Sequence, residues 1–381
     1  MKTYVVGGAV RDDLLGLPVS DRDHVVIGAT VDEMIAAGFK PVGRDFPVFL
    51  HPVTHEEYAL ARTERKVAAG YAGFVFHADR FVSLEDDLAR RDLTINAIAE
   101  DEATGVLIDP FGGKADLAAR TFRHVGPSFV EDPVRLLRIA RFAARFGDFT
   151  VAPETLELMR AMTAAGEVDA LVPERVWQEI SRGLMEVQPS RMVRLLRESG
   201  ALGRLFPEIE GLFASDAGPA MLAALDRVAA TDASLEIRFA VLVEAIGGDA
   251  IPTLCGRLAV PRAARDLALL VAKEGPTLRA AVGPTPPAID VLVDAMERAD
   301  AFRRPDRFRQ AIAALGWTID DDDVRQKLST RLGEAVDAAL AIDAGVIARD
   351  AGYDPALIVG RLRHARVLAV EIAMDPIRRR R

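Results

Sequence analysis

The pattern of this chain changes character once, near residue 130, and that change does most to limit the folds open to it. Before it, short β-branched runs alternate with short helical ones. Residues 4–6 read as a strand that stops at Gly7-Gly8, 9–15 as a helix closed by Gly16, 24–27 as a second strand, and 31–37 as a helix ended by Gly38. Residues 46–51 and 57–61 read as two more strands, joined by a turn through Pro52 and Thr54. Such alternation suits a small mixed sheet carrying helices. Beyond residue 130, Leu, Ala, Arg and Glu recur at three- and four-residue spacing, and Pro133, Pro153, Pro173, Pro189 and Pro207 fall near helix starts or breaks. The predicted class is α+β, a mixed-sheet head followed by a nearly all-helical remainder. Internal boundaries are expected at the Gly- and Ala-rich stretch 211–230 and at 275–287.

At 381 residues the chain is too long for one ordinary core. No apolar run approaches the ~20 residues needed to span a bilayer, and the start carries acids where a secretory signal needs an apolar stretch. Cys255 is the single cysteine, which excludes an intrachain disulfide and any Cys-based zinc site. Together these features predict a cytoplasmic protein. The formal net charge is −9, yet residues 118–147 hold six Arg against two acids, and 361–381 hold seven against two. An acidic protein with such local surfaces can still grip phosphate.

Three segments carry chemistry. Gly7-Gly8-Ala9-Val10-Arg11 follows a strand, so backbone N–H groups and a helix start can approach a triphosphate, and Arg11 can add a charge-assisted bond. Asp21-Arg22-Asp23 places two carboxylates on one side of an extended segment, where a hard cation such as Mg²⁺ would relieve their repulsion. Alone, a glycine pair is a turn and a D-x-D is a solvated loop. Arg90-Arg91-Asp92-Leu93-Thr94-Ile95-Asn96 reads as a helix start capped by Asp92, or as a site with Arg91 on a nucleotide. From Glu131-Asp132-Pro133 a helix is expected with Arg135, Arg138, Arg141 and Arg145 along one face. Four like charges invite an anion, although a solvated amphipathic helix is the plainer reading.

In this order, the segments resemble the class II tRNA nucleotidyltransferases, the CCA-adding enzymes of the polymerase-β-like superfamily. The likeness includes Gly43-Arg44-Asp45-Phe46-Pro47-Val48-Phe49-Leu50, Tyr58-Ala59-Leu60-Ala61-Arg62-Thr63-Glu64-Arg65-Lys66, Asp109-Pro110-Phe111-Gly112-Gly113 and Pro173-Glu174-Arg175-Val176-Trp177. It is close to about residue 144 and weakest over 200–381. The resemblance implies a nucleotidyltransferase head over 1–128, a helical neck over 129–210 and a tRNA-binding body and tail over 211–381. It implies two Mg²⁺ ions on Asp21 and Asp23, about 3.5–4 Å apart, with Glu57 as a possible third carboxylate. Gly8 and Arg11 would hold the triphosphate, and Arg91, Arg138 and Arg141 would bind nucleotide. The substrates implied are CTP, ATP and the acceptor end and top half of tRNA.

Base choice follows from hydrogen bonding. On the resemblance, Asp132 and Arg135, at i and i+3 on one helix face, meet the base: Asp132 accepts and Arg135 donates, which suits the amino group and ring nitrogen of cytosine and adenine. Uracil and guanine present the reverse pattern and leave groups unpaired, at about 1–3 kcal/mol each. Asp132→Ala should therefore relax discrimination against UTP and GTP. Some relatives carry an HD phosphohydrolase domain; here Glu244-Ala245 stand where His-Asp would be, and no histidine lies between 125 and 363. No phosphodiesterase or phosphatase activity is expected. His51 and His55 flank Pro52 in a turn and His24 reads as a packing residue, so neither suggests a metal site. Residues 378–381 read as a frayed tail or a tRNA contact. The alternatives are a poly(A) polymerase, an enzyme adding only CC or only A, a small-molecule nucleotidyltransferase, and an inactive tRNA-binding module.

Overall fold

A computed structural model describes residues 1–19, 21–42, 48–66, 74–78 and 80–375. The expected contributions of residues 43–47 and 378–381 lie outside this set. The head is built on seven strands: β1 (Lys2–Val6), β2 (Asp23–Ile27), β3 (Lys40–Val42), β4 (Val48–Leu50), β5 (Glu57–Leu60), and, after the separate hairpin β6 (Arg62–Lys66) and β7 (Phe74–Ala78), β8 (Ala99–Asp101) and β9 (Leu107–Ile108). Their order is β3-β4-β5-β2-β1-β8-β9. Only β2 and β5 run parallel within it; the other neighbours are antiparallel. The mixed sheet expected from the alternation is present. The strands β3, β8 and β9, at three, three and two residues, are too short to leave a readable alternation.

Successive residues of β2 serve opposite faces. Val25 joins Tyr4, Val6, Leu88 and Ala97 in one apolar cluster, while Val26 joins Met34, Phe39, Phe49, Tyr58 and Leu60 in another. Helix α1 (Gly8–Leu14) leaves the end of β1 directly, and α2 (Val31–Ala36) is started by a reciprocal cap between Thr30 and Glu33. Helices α3 (Leu84–Ala89) and α4 (Gly113–Ala118) complete the head. Next come α5 (Val134–Arg145), α6 (Pro153–Ala164), α7 (Pro173–Leu184) and α8 (Pro189–Glu198). The proline positions are borne out: Pro153, Pro173 and Pro189 each open a helix, where a missing N–H costs nothing. Beyond residue 130, one two-residue strand, Thr150–Val151, interrupts the helices among the described residues; it pairs with Thr121–Phe122.

The chain divides into two compact units, Met1–Val176 with Leu195–Leu205, and Trp177–Arg194 with Phe206–Arg381. Residues of the expected neck, 129–210, thus fall in both. Inside the helical region, the boundary expected at 275–287 overlaps a connection at 281–288, while the one expected at 211–230 is largely helical. Ala217–Ala229 is a continuous helix, and Arg262–Ala280 runs through Gly275 and Pro276. Gly275 is a packing position: a Cβ there would come within 2.7 Å of the Leu315 side chain. The actual connection is shorter and begins after Ala280.

Candidate active site

The register of the head sheet gathers the acidic groups. Asp23 opens β2, pairs with Val6 at the end of β1 on one side, and pairs with Glu57 at the start of β5 on the other. Asp21 lies two residues before Asp23 in the segment leading into the strand. All three carboxylates are exposed, and among the described residues their side chains enter no hydrogen bond or ion pair. The neighbouring pair, His24 and Tyr58, faces the other way and is buried. Their rings stack with centroids 4.1 Å apart and planes within 6°. Glu102 closes this arrangement: a carboxylate oxygen lies 2.9 Å from His24 Nδ1 and accepts from the Tyr58 hydroxyl at 3.3 Å. Burial, reinforced by Glu102, pushes the Tyr58 hydroxyl up to about 12, so it remains a donor. His24 is therefore a packing residue, as expected, and its stack pins the alignment of Asp23 with Glu57.

Hard oxygen donors at exposed strand ends fit a divalent cation that keeps part of its water shell. Among the described residues, no three His, Cys, Asp or Glu side chains enclose an ion-sized space. The three carboxylates are open to solvent. His51 belongs elsewhere: its Nδ1 lies 3.1 Å from the Thr54 backbone nitrogen and organises the turn before β5.

Immediately beyond the Val6–Asp23 pair the chain turns at Gly7, whose φ of 73° and ψ of −127° exclude most side-chain-bearing residues. A Cβ there would lie 2.8 Å from a terminal nitrogen of Arg91. Arg91 is held in place by Asp87, which accepts from it at 3.2 Å. Burial alone would raise the Asp87 carboxyl, but Arg91 and Arg90 outweigh it and hold the group below the usual carboxylate range. The adjoining ends of β1, β2 and β5 thus bring together backbone N–H groups from the start of α1, a fixed guanidinium and the acidic residues.

Helix α5 presents its arginines less uniformly than the spacing suggests. Arg138 donates to Asp92 at 2.7 Å and Arg145 to Asp12 at 2.8 Å. Asp92 also accepts from the Leu93 backbone and from the Asn96 amide, each at 2.9 Å. It organises a short 3₁₀ turn, Thr94–Asn96, where the plainer sequence reading had it capping a helix. Although desolvation opposes ionisation, Arg138, Asn96 and Arg135 hold Asp92 well below the ordinary range. Asn96 accepts from Arg11 at 2.6 Å, and Arg11 donates to Asp12 at 2.8 Å. A single network therefore ties α1, the 92–96 segment and α5 together. The Arg141 guanidinium lies 4.7 Å from the centre of the Phe142 ring.

Two expected nucleotide ligands have other partners. Arg11 is 3% exposed and is held by Asp12, Asn96 and the rings of Phe142 and Phe146. Arg135 is buried and donates to the backbone carbonyls of Ser128 and Arg90, each at 2.6 Å. The Asp132–Arg135 pair expected on one helix face is absent because Asp132 lies outside α5 in extended backbone. Asp132 instead forms a two-pronged pair with Arg175, at 3.1 and 2.7 Å. Arg175 lies in the Pro173-Glu174-Arg175-Val176-Trp177 motif, but nothing in its spacing from Asp132 marks it as a partner.

With this geometry in place, the comparisons with known proteins decide the family. A poly(A) polymerase head domain model matches residues 3–123, and a model of a probable RNA and SrmB binding site of polymerase A matches residues 148–212. Multifunctional CCA protein from Burkholderia mallei is 51% identical, with 98% of this chain and 99% of that protein covered. The Paraburkholderia phytofirmans protein of the same name is 50% identical over 98% and 100%. The chain belongs to the class II CCA-adding enzymes. Its fold agrees: the crystal structure of the Bacillus stearothermophilus CCA-adding enzyme in complex with CTP superposes with a TM-score of 0.62 at 26% identity, covering 97% of this chain and 88% of that one. In this member of the CCA-adding enzymes, Glu244 lies in the turn Glu244–Ile246 and is ion-paired with Arg279.

Proposed function

We propose that this protein adds the terminal CCA to tRNA, using CTP and ATP without a nucleic-acid template and releasing pyrophosphate. The observation that carries the reading is the register that sets Asp23 and Glu57 side by side next to the Gly7 turn, in a chain 51% identical to a Multifunctional CCA protein. Divalent cations, which we take to be Mg²⁺, would be held by Asp21 and Asp23; when bound they supply charge stabilisation for the attacking hydroxyl and the departing pyrophosphate. Glu57, whose backbone pairs with Asp23, would be a third carboxylate near them. The Gly7-Gly8 backbone and Arg91 receive the triphosphate, with Gly8 at the first position of α1. Arg138 and Arg141 flank the nucleotide, and Asp132 reads the base by accepting from an exocyclic amino group. Arg11 and Arg135 contribute by fixing these elements. No helix among the described residues is long and apolar enough to cross a membrane, and the cytoplasm is the compartment we propose.

The test is incorporation of labelled CTP and ATP, singly and together, onto tRNA lacking its last three nucleotides. CTP alone should extend the RNA by two residues, and both together by three, followed by a stop. A long adenosine tail would favour a poly(A) polymerase, the reading suggested by the names of the two domain models. Extension by two residues alone, or by one adenosine only on RNA already ending in CC, would identify a partial activity.

A further inference from the structure

The assignment of Asp132 as the base-reading group leaves open what aims it. This residue is not part of a helix that could orient it, since its backbone is extended, with φ −120° and ψ 101°. Among the described residues its side chain has two partners. One oxygen accepts from the Val134 backbone N–H at 3.2 Å and from an Arg175 nitrogen at 3.1 Å, and the other accepts from the second Arg175 nitrogen at 2.7 Å. Arg135, the residue three positions on, is committed to the carbonyls of Ser128 and Arg90. The guanidinium that faces Asp132 therefore comes from α7, forty-three positions away in the chain. Both members are only partly exposed, with 20% of the Asp132 side chain and 27% of the Arg175 side chain accessible.

We propose that Arg175 is a positioning residue for nucleotide selection, acting through Asp132; the inference rests on the proposed role of Asp132 in base reading. A carboxylate offers about four lone-pair directions, and three are taken up by Val134 and the two prongs of Arg175. The direction left over belongs to the oxygen that carries one partner. It can accept one further N–H, which is what the amino group of cytosine or adenine supplies and what the carbonyl of uracil or guanine cannot. A two-pronged guanidinium fixes the carboxylate plane as well as its position, whereas a lysine ammonium would hold only the position. Loss of the fork lets the carboxylate turn, and water can then bridge it to a carbonyl.

The experiment measures kcat/KM for CTP, ATP, UTP and GTP on truncated tRNA. It uses the full-length wild type, Arg175→Ala, Arg175→Lys, Asp132→Asn and the double variant Asp132→Asn/Arg175→Ala, with thermal melts to establish that each is folded. Arg175→Ala should lower discrimination against UTP and GTP by about tenfold or more, with Arg175→Lys falling between it and wild type. In the Asp132→Asn background, removing Arg175 should have little further effect on discrimination, because one path is already broken. Equal loss on all four nucleotides in Arg175→Ala and Arg175→Lys would overturn the proposal in favour of a purely structural contact. Unchanged discrimination in both would overturn it as well. Wild-type enzyme that selects CTP and ATP, together with an Asp132→Asn variant that still does, would remove the base-reading role and this inference with it. Selection lost in Asp132→Asn but kept in the Arg175 variants would remove the inference alone.

Discussion

The two compact units use charge in opposite ways. In the unit containing residues 1–176, exposed acids at the sheet edge stand apart from any described partner, while nearby Asp87 and Asp92 absorb several arginines. In the helical unit, charge is spent on the scaffold. Arg238 is 5% exposed and donates to the carbonyls of Leu184, Glu186, Ala229, Thr231 and Ala233. Glu244 is closed by Arg279, and Glu274 by a two-pronged pair with Arg298. Carboxylates left open are available to cations and substrate; carboxylates already matched to arginine are not. The proposed site draws its open carboxylates, Asp21, Asp23 and Glu57, from the first unit alone.

The largest effect should come from the open acids. Asp21→Ala or Asp23→Ala should reduce addition of both CTP and ATP by about 10³-fold or more, since several kcal/mol of transition-state stabilisation are at stake. Single-turnover rates check this, and the melting temperature should stay close to wild type because neither side chain is buried. A strongly lowered melting temperature would erase the distinction between the units. Arg238→Ala reverses the pattern. It strands buried carbonyls and should cost about 3 kcal/mol or more in urea unfolding, with kcat on truncated tRNA little changed at temperatures where the protein is folded.

A smaller effect separates acids within the first unit. Asp92 is ionised in the folded state and its pKa is depressed relative to the unfolded chain. Its stabilisation is therefore fully present above the unfolded value of about 3.9 and is lost as pH falls below it toward the folded value. Asp92→Asn should be less stable than wild type at neutral pH, and the gap should narrow as pH is lowered through that range. A constant gap would mean that shape rather than charge is what Asp92 provides. The smallest expected signal is none: purified protein should not hydrolyse 2′,3′-cyclic phosphates with any divalent metal, because the region from 125 to 363 contains no histidine. Hydrolysis there would give the helical unit a chemistry of its own.

The legible parts of this molecule were those set by local rules. Gly7 marks its turn, and the prolines mark helix starts. Glu57 was visible only as a candidate, because its place beside Asp23 depends on a parallel pairing between strands some thirty residues apart. Arg11 and Arg135 show the limit of reading charge from spacing. Periodicity says which way a helical residue points; whether its guanidinium reaches solvent depends on acids and carbonyls contributed by distant segments. Pro276 misled for the opposite reason, since a helix packed on its neighbour tolerates a residue that an isolated helix rejects.

The pairing of β2 with β5 has a consequence for how this enzyme can vary. Side chains alternate along a strand, so a shift of β5 by one residue would turn Glu57 inward and push Tyr58 out to water. The stack of Tyr58 on His24 resists that slip. Insertions or deletions in the tight bend through Pro52 and Thr54 should therefore be tolerated only where they leave the phase of β5 unchanged, which makes the length of an unremarkable surface loop a heritable constraint on the reaction.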